Sequence, residues 1–294
     1  MKILVVGKSG QVALSLAEIG QHSGHEIISM GRPDLDITQL YSVKTCVNAV
    51  GPDLVINAAA YTAVDAAESN EAQAYLVNET GAYNLSVVTA KRGIPLVHIS
   101  TDYVFDGTKS TRYSETDIVT PLGVYGASKL AGEKAVIENN SKHFVFRTAW
   151  VYSPFGNNFV KTMLRLAASR DEISVVDDQI GSPTSAIDIA GFLLSVATHV
   201  ESTDNNAEYG VYHMAGEGIA SWADLAETAI ERAFQRTKRI TKINRIESKD
   251  FPTPTQRPMN SRLDTNKTAQ AFGIRLPHWR DSVISCVDRI LAER

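Results

Sequence analysis

Short apolar runs, too brief for helices, recur between longer amphipathic stretches, and this alternation restricts the fold more than any other feature. "KILVV" (Lys2–Val6), "DLVIN" (Asp53–Asn57) and "PLVHIS" (Pro95–Ser100) are apolar on both faces and rich in β-branched residues, as central strands of a parallel sheet are. Between them lie helix patterns at Gln11–His22, at Gln39–Ala49 and along "EAQAYLVNETGAYNLSVVTAKRG", which Gly93 and Pro95 bring to a stop. Parallel strands joined by helices require crossover connections, so the expected class is α/β with a doubly wound parallel sheet. "HFVFRTAWVY" (His143–Tyr152) and "ISVV" (Ile173–Val176) are expected to extend that sheet. From about Gln179 helical patterns persist while strands grow sparse. This divides the chain into a sheet domain, mainly 1–178, and a smaller C-terminal lobe, mainly 179–294, with the two interleaved. The closing "HWRDSVISCVDRILAER" is amphipathic and is expected to pack as a lid on the core.

The first strand runs directly into "GKSGQVA", which then becomes a helix. Glycines at such a turn let backbone approach a pyrophosphate, and the helix N-terminus offers unpaired N–H groups to its charge. A P-loop is excluded, because its first glycine would fall at Lys2. The spacing Gly7-x-x-Gly10-x-x-Ala13 resembles the GxxGxxG loop of extended short-chain dehydrogenases/reductases, with Ala13 in place of the third glycine. A structural turn is the alternative. The sheet domain is then Rossmann-like and the C-terminal lobe binds substrate. After the second strand candidate, "EIIS", comes Met30-Gly31-Arg32 rather than the acidic residue that usually selects NAD. Arg32 favours a ribose 2′-phosphate, although Asp34 and Asp36 lie near enough to reach a ribose. NADPH is the expected cofactor, with NADH possible.

Composition narrows the function class. A net charge of −4 without a basic run offers nothing to nucleic acid or to an anionic membrane. No apolar stretch approaches the ~18 residues that span a bilayer, and "GKSGQ" interrupts the N-terminus too early for a signal segment. Cys46 and Cys286 lie in helix patterns without a CxxC pair, which suits free thiols in a reducing cytoplasm. The seven histidines are scattered, so no metal site is expected.

Within "PLGVYGASKLAGEKAV", Tyr125 and Lys129 stand about one helical turn apart and share a face. A phenol titrates near 10, and a neighbouring ammonium lowers that value, which suits general acid–base work. In a chain with ten tyrosines such a pair also arises by chance. Its context carries more weight. "STDYVFDG" sets Ser100, Thr101 and Asp102 at the C-terminal edge of a strand, where open α/β sheets bind ligands. There Thr101 can hydrogen-bond a carbonyl oxygen while Tyr125 protonates it, and Lys129 can hold the nicotinamide ribose. "FPTPTQRPMNSRL" (Phe251–Leu263) carries three prolines, so it is neither helix nor central strand. Its Arg257 and Arg262 either clamp a phosphate or pair with surface carboxylates.

Together "GKSGQV", "VINAAAYTAVDAAE", "STDYVFDG", "VYGASKLAGEKA", "FRTAWVY", "NNFVKTMLRLA" and "QRPMNSRL" resemble the dTDP-4-dehydrorhamnose reductase family over nearly the whole chain. The resemblance implies NAD(P)H-dependent reduction of the 4-keto group of dTDP-4-dehydro-L-rhamnose, a step that supplies cell-surface polysaccharide. It implies Tyr125 as catalytic acid/base, Lys129 as its partner and Thr101 as the carbonyl-orienting residue. Gly10, Gln11 and Val12 would line the pyrophosphate, Asp36 and Ile37 the adenosine, and Ala60, Tyr61 and Thr62 the rest of the cofactor. Thr101, Asp102 and Trp150 would contact the sugar nucleotide. Asn158 either caps its helix or sits with that N-terminus over the diphosphate. Trp150 is alternatively core, Tyr61 a packing residue where relatives often carry histidine, and Asp65 and Glu68 solvated or capping carboxylates. Two rivals are a 4-epimerase or GDP-fucose-type reductase, and a non-catalytic NADP-binding regulatory subunit; the intact Thr101, Tyr125 and Lys129 speak against the latter. Some family members dimerise through magnesium held by glutamates. The matching positions here are Ser15, Ile187 and Glu293, with Asp188 turned about 100° away. A monomer or a metal-independent homodimer is therefore expected.

Overall fold

The computed structural model describes residues 1–203 and 207–293. The first half runs β1 (Lys2–Val6), α1 (Gln11–Ile19), β2 (Glu26–Met30), α2 (Leu40–Val50), β3 (Leu54–Asn57), α3 (Val64–Ala67), α4 (Glu71–Tyr75), α5 (Gly81–Ala90), β4 (Leu96–Thr101), α6 (Val124–Asn139) and β5 (His143–Thr148). The second adds β6 (Val151–Tyr152), α7 (Phe159–Ala167), β7 (Glu172–Val176), β8 (Ile180–Gly181), β9 (Thr184–Ser185) and α8 (Ala186–Ser202). It continues with β10 (Gly210–His213), β11 (Ala220–Ser221), α9 (Trp222–Thr237), β12 (Lys242–Ile246), β13 (Asn260–Ser261), α10 (Asn266–Phe272) and α11 (Trp279–Ala292).

Six strands form one parallel sheet in the order β2-β1-β3-β4-β5-β10. Both of its faces are covered, which is why the strand sequences read as unbroken apolar runs. Ile3 and Val5 face a layer with Leu16, Phe146, Ile189 and Leu193, while Leu4 and Val6 face Val43, Val47 and Leu85. The chain leaves β1 outward to β2 and then returns across it to β3. Strand order therefore reverses between β1 and β3, and a crevice opens beyond their C-terminal ends.

Four expectations need correction. "HFVFRTAWVY" is not one strand: β5 stops at Thr148, the backbone turns left-handed at Trp150 (φ 50°), and β6 pairs with β9 outside the main sheet. Residues 173–176 do not extend the main sheet either. They lie in β7, paired with β12, and burial there alternates as in a strand with one covered face. The sixth main strand is β10, which comes from beyond position 179 and pairs with β5. The long helix pattern after Glu71 is interrupted by a π-turn at Leu76–Thr80. Finally, α11 is less a lid than part of the lobe's own core, where Trp279, Val283 and Val287 meet Tyr152, Leu164 and Leu225. Arg289 of α11 grips Glu18 of α1 through two hydrogen bonds, at 2.5 and 2.6 Å, and so ties the lobe to the sheet domain. Among the described residues no helix is long and apolar enough to cross a membrane.

Candidate active site

At the end of β1, Gly7 adopts φ +106° and donates its N–H to the Met30 carbonyl at 2.7 Å. A Cβ here would lie 3.1 Å from the Ala59 nitrogen and force a left-handed strain, so the close turn requires glycine. Gly10 then starts α1 without a side-chain cap, and the first-turn N–H groups face the crevice. Gln11 spans the two lobes: its Oε1 accepts from the Ser153 hydroxyl (2.8 Å) and from Asn158 Nδ2 (3.0 Å). Asn158 in turn caps α7, accepting from the Lys161 N–H at 3.1 Å. Asn158 is thus the cap of its helix, and the N-terminus it caps also opens on the cleft. Two helix N-termini therefore converge on one cavity of about 550 Å³.

The opposite wall is the end of β4. The Thr101 hydroxyl donates to Asp102 Oδ1 (3.1 Å) and accepts from the Tyr103 N–H (3.2 Å), which fixes its rotamer. Burial pushes the Asp102 carboxyl up to about 6, with the Ser261 and Thr101 hydroxyls opposing the shift. On α6, Tyr125 and Lys129 reach the same wall, and both line the cavity. The Lys129 ammonium is buried, donates to the Ile99 carbonyl at 2.7 Å, and is pushed down to about 8 by desolvation against the opposing charge of Glu133. Sequence predicts a phenol lowered by that ammonium; the structure reverses the direction. Desolvation raises the Tyr125 phenol well above its ordinary value, Asp102 and Tyr103 add to the rise, and the Thr101 hydroxyl opposes it. Burial outweighs any benefit from a lysine engaged with a backbone carbonyl.

The loop at Ala60–Thr62 is held by Asn78, which accepts from the Tyr61 N–H (2.8 Å) and donates to the Tyr61 carbonyl (3.1 Å) and the Ser128 hydroxyl (3.0 Å). Asn78 lies in the π-turn, a common device beside functional sites. Ala60, Thr62 and Val12 line the cavity, whereas the Tyr61 side chain does not. Trp150 lines it as well. Its ring stacks on Trp222 at 3.6 Å, Phe159 flanks Trp222 at 4.7 Å, and the Trp222 indole N–H donates to Gln179 Oε1 at 3.1 Å. Sequence reasoning does not single out Asn78, Gln179 or Trp222. Nothing in the sequence separates Asn78 from Asn84 in the same helix pattern, and no signal existed for the indole stack.

Other predicted residues lie apart from the cavity. Arg32 is exposed at the tip of β2, where Lys8 pairs with Asp34 at 2.9 Å. The Asp36 carboxylate accepts from the Thr38 N–H and hydroxyl, at 3.0 and 2.8 Å. Ile37 points its side chain into the core, and its carbonyl accepts from Asn84. Arg257 donates to Asp65 (2.6 Å) and to the Tyr103 hydroxyl (3.0 Å), the carboxylate-paired alternative; Arg262 donates to Asn260 and to the Ser110 carbonyl. Glu68 is a capping residue and accepts from the Val124 N–H at the start of α6 (3.0 Å).

A family model described as the RmlD substrate binding domain matches residues 1–292. Curated dTDP-4-dehydrorhamnose reductases from Sinorhizobium fredii and Burkholderia thailandensis are each 43% identical, over 100% of this chain and 99% and 100% of theirs. A crystal structure of a Clostridium acetobutylicum dTDP-4-dehydrorhamnose reductase superposes with a TM-score of 0.90 at 37% identity, covering 99% of this chain and 100% of its own. A Bacillus anthracis dTDP-4-dehydrorhamnose reductase, solved in complex with NADP, gives a TM-score of 0.88 at 34% identity, covering 100% of this chain and 99% of its own. A sheet that reverses at β1/β3, a tyrosine–lysine pair facing its edge and likeness along the full length all agree, and the chain belongs to the dTDP-4-dehydrorhamnose reductase family.

Proposed function

We propose that this protein reduces the 4-keto group of dTDP-4-dehydro-L-rhamnose to give dTDP-L-rhamnose for polysaccharide synthesis, with NADPH as reductant. The observation that carries this reading is the convergence of Thr101, Tyr125 and Lys129 on the edge where the uncapped N-terminus of α1 opens. The residues present suit a dinucleotide. Gly7 brings the turn against Ala59, and the Ser100 and Thr148 hydroxyls of the cavity wall are buried without a hydrogen-bond partner among the described residues. When bound, NADPH supplies a hydride to the carbonyl carbon.

The chain's own groups do the rest. A phenol raised by burial is fully protonated at neutral pH, so Tyr125 acts as the acid and delivers its proton to the carbonyl oxygen as negative charge develops there. Thr101 orients that oxygen. Lys129, titrating near 8, is mostly charged at pH 7 and holds the cofactor ribose while favouring the transient phenolate. Gly10, Gln11, Val12 and the α1 N-terminus take the cofactor diphosphate, and Ala60, Tyr61 and Thr62 flank its nicotinamide half. Asp36 and Ile37 meet the adenosine, Ile37 through its backbone. Asp102 and Trp150 contact the sugar. Asn158, with the α7 N-terminus, faces the substrate diphosphate, and Arg257 joins it by exchanging Asp65 for phosphate. Arg32 selects the 2′-phosphate. Cytoplasmic residence is supported by two buried free thiols, Cys46 and Cys286. The assembly is a monomer or a metal-independent homodimer: the Ser15 hydroxyl donates to the Gln11 carbonyl, Ile187 has no ligand atom in its side chain, and Glu293 accepts from Arg289. Oxidation of NADPH in the presence of dTDP-4-dehydro-L-rhamnose, with dTDP-L-rhamnose identified as product, tests the reading. No oxidation above the rate without sugar nucleotide would overturn it.

A further inference from the structure

Tyr125, Lys129 and Glu133 succeed one another at four-residue spacing, so all three lie along one ridge of α6. Lys129 and Glu133 are both buried, at 2% and 1% exposure. Glu133 is gripped from β5 by Arg147, through contacts of 2.9 and 3.2 Å from Nε and 2.7 Å from Nη2. Arg147 is itself buried, lies over the Phe105 ring at 5.1 Å and leaves Nη1 without a partner among the described residues. A fully buried ion pair with an unsatisfied donor is a poor source of stability, since well-packed apolar residues of similar volume serve as well or better. The pair thus needs another reason to be there, and its location supplies one: it lies one turn beyond the lysine of the catalytic ridge.

We propose that Glu133, one helical turn from Lys129 and locked in place by Arg147, is a positioning residue whose buried carboxylate keeps the Lys129 ammonium charged beside the cofactor site. The inference rests on the reading of Lys129 as the cofactor's partner. Several charged or titratable groups surround this lysine. Tyr125 and Glu133 share its helix, His98 lies on β4, Asp102 follows β4, and Arg147 lies on β5. His98 is held neutral, pushed well below its ordinary value by burial and by the charge of Lys129. Desolvation alone drives Lys129 toward its neutral amine, and Glu133 is the group that resists this.

The test measures NADPH affinity and kcat/KM as functions of pH in wild type, in Glu133→Gln and in the double variant Glu133→Met/Arg147→Met. The double variant removes both buried charges together, so it folds even where the single change strands Arg147. In both, the alkaline limb of NADPH affinity should move to lower pH by roughly one unit, and the limb of kcat/KM should follow. Glu133→Asp, which keeps the charge, should hold the limb near its wild-type position. A purely structural ion pair would leave the limb unmoved in the double variant, and that result overturns the proposal. The affinity measurement needs no sugar nucleotide, so wild-type protein that binds NADPH but reduces no keto-sugar would refute the functional reading separately.

Discussion

Removing the hydroxyl of Tyr125, the proposed proton donor, separates proton transfer from binding. Tyr125→Phe keeps the ring that packs edge-on against Tyr103 at 5.4 Å, so NADPH affinity should stay at its wild-type value. Turnover should fall by about 10²–10⁴, the contribution of a positioned general acid. Single-turnover reduction at the wild-type rate would refute the role. Asp102 makes stability depend on pH. Its carboxyl is raised from 3.8 to about 6 in the folded state, so it contributes stability below about 4 and loses it as pH rises through 6. Asp102→Asn escapes that loss. By urea unfolding the variant should be more stable than wild type at pH 8, by up to roughly 3 kcal/mol, with the difference gone near pH 4. At Arg32 the expectation concerns specificity: Arg32→Ala should lower the kcat/KM ratio of NADPH to NADH, and an unchanged ratio would make the residue merely solvated. That Thr101, Tyr125 and Lys129 meet at one cavity was legible in sequence, because strand-edge placement and one-turn helical spacing are local rules. The direction of the phenol's shift was not, because it depends on how completely the ring is desolvated.

Among the elements, α6 is the one that aims the chemistry, and its closeness to the π-turn depends on one position. A Cβ at Gly132 would collide with the Asn78 carbonyl oxygen, the same residue whose side chain holds the Ala60–Thr62 loop. Gly132→Ala must push α6 off that contact and tilt Lys129 away from its seat. We expect destabilisation of roughly 1–3 kcal/mol by urea unfolding, with weakened NADPH binding in the folded fraction. Wild-type values for both would show that the helix accommodates the methyl. The strands β1, β3 and β4 could be read from the chain because burial on both faces leaves an apolar signature. The break after β5 could not. Trp150 takes its left-handed backbone where its ring stacks on Trp222, more than seventy residues later, and Gly181 leaves room for that ring.

At the scale of the molecule, the two lobes are joined by Gln11 to Ser153 and Asn158, and by Glu18 to Arg289. With the Ser15 hydroxyl bonded to the Gln11 carbonyl and no ligand atom on Ile187, sedimentation in magnesium and then in EDTA should give the same assembly state, and dissociation on chelation would contradict the metal-independent reading. The lobes are also interleaved in sequence. β7 lies in the lobe although it precedes position 178, and β10 lies in the main sheet although it follows.

The alternation of short apolar runs with helices, the glycine turn and the order of Thr101, Tyr125 and Lys129 were enough to read the sheet and the cofactor class, and to single out three residues that the fold brings to one cavity. Each of these rests on local rules: strand and helix periods, the backbone freedom of Gly7, and one-turn spacing on a helix. Tertiary structure alone decided which strand completes the sheet, which charge sustains Lys129, and that two indoles wall the cleft. Those outcomes arise from contacts between segments far apart in the chain, such as Arg147 with Glu133 and Trp150 with Trp222. Their energies depend on burial, and burial exists only once the chain has closed around them.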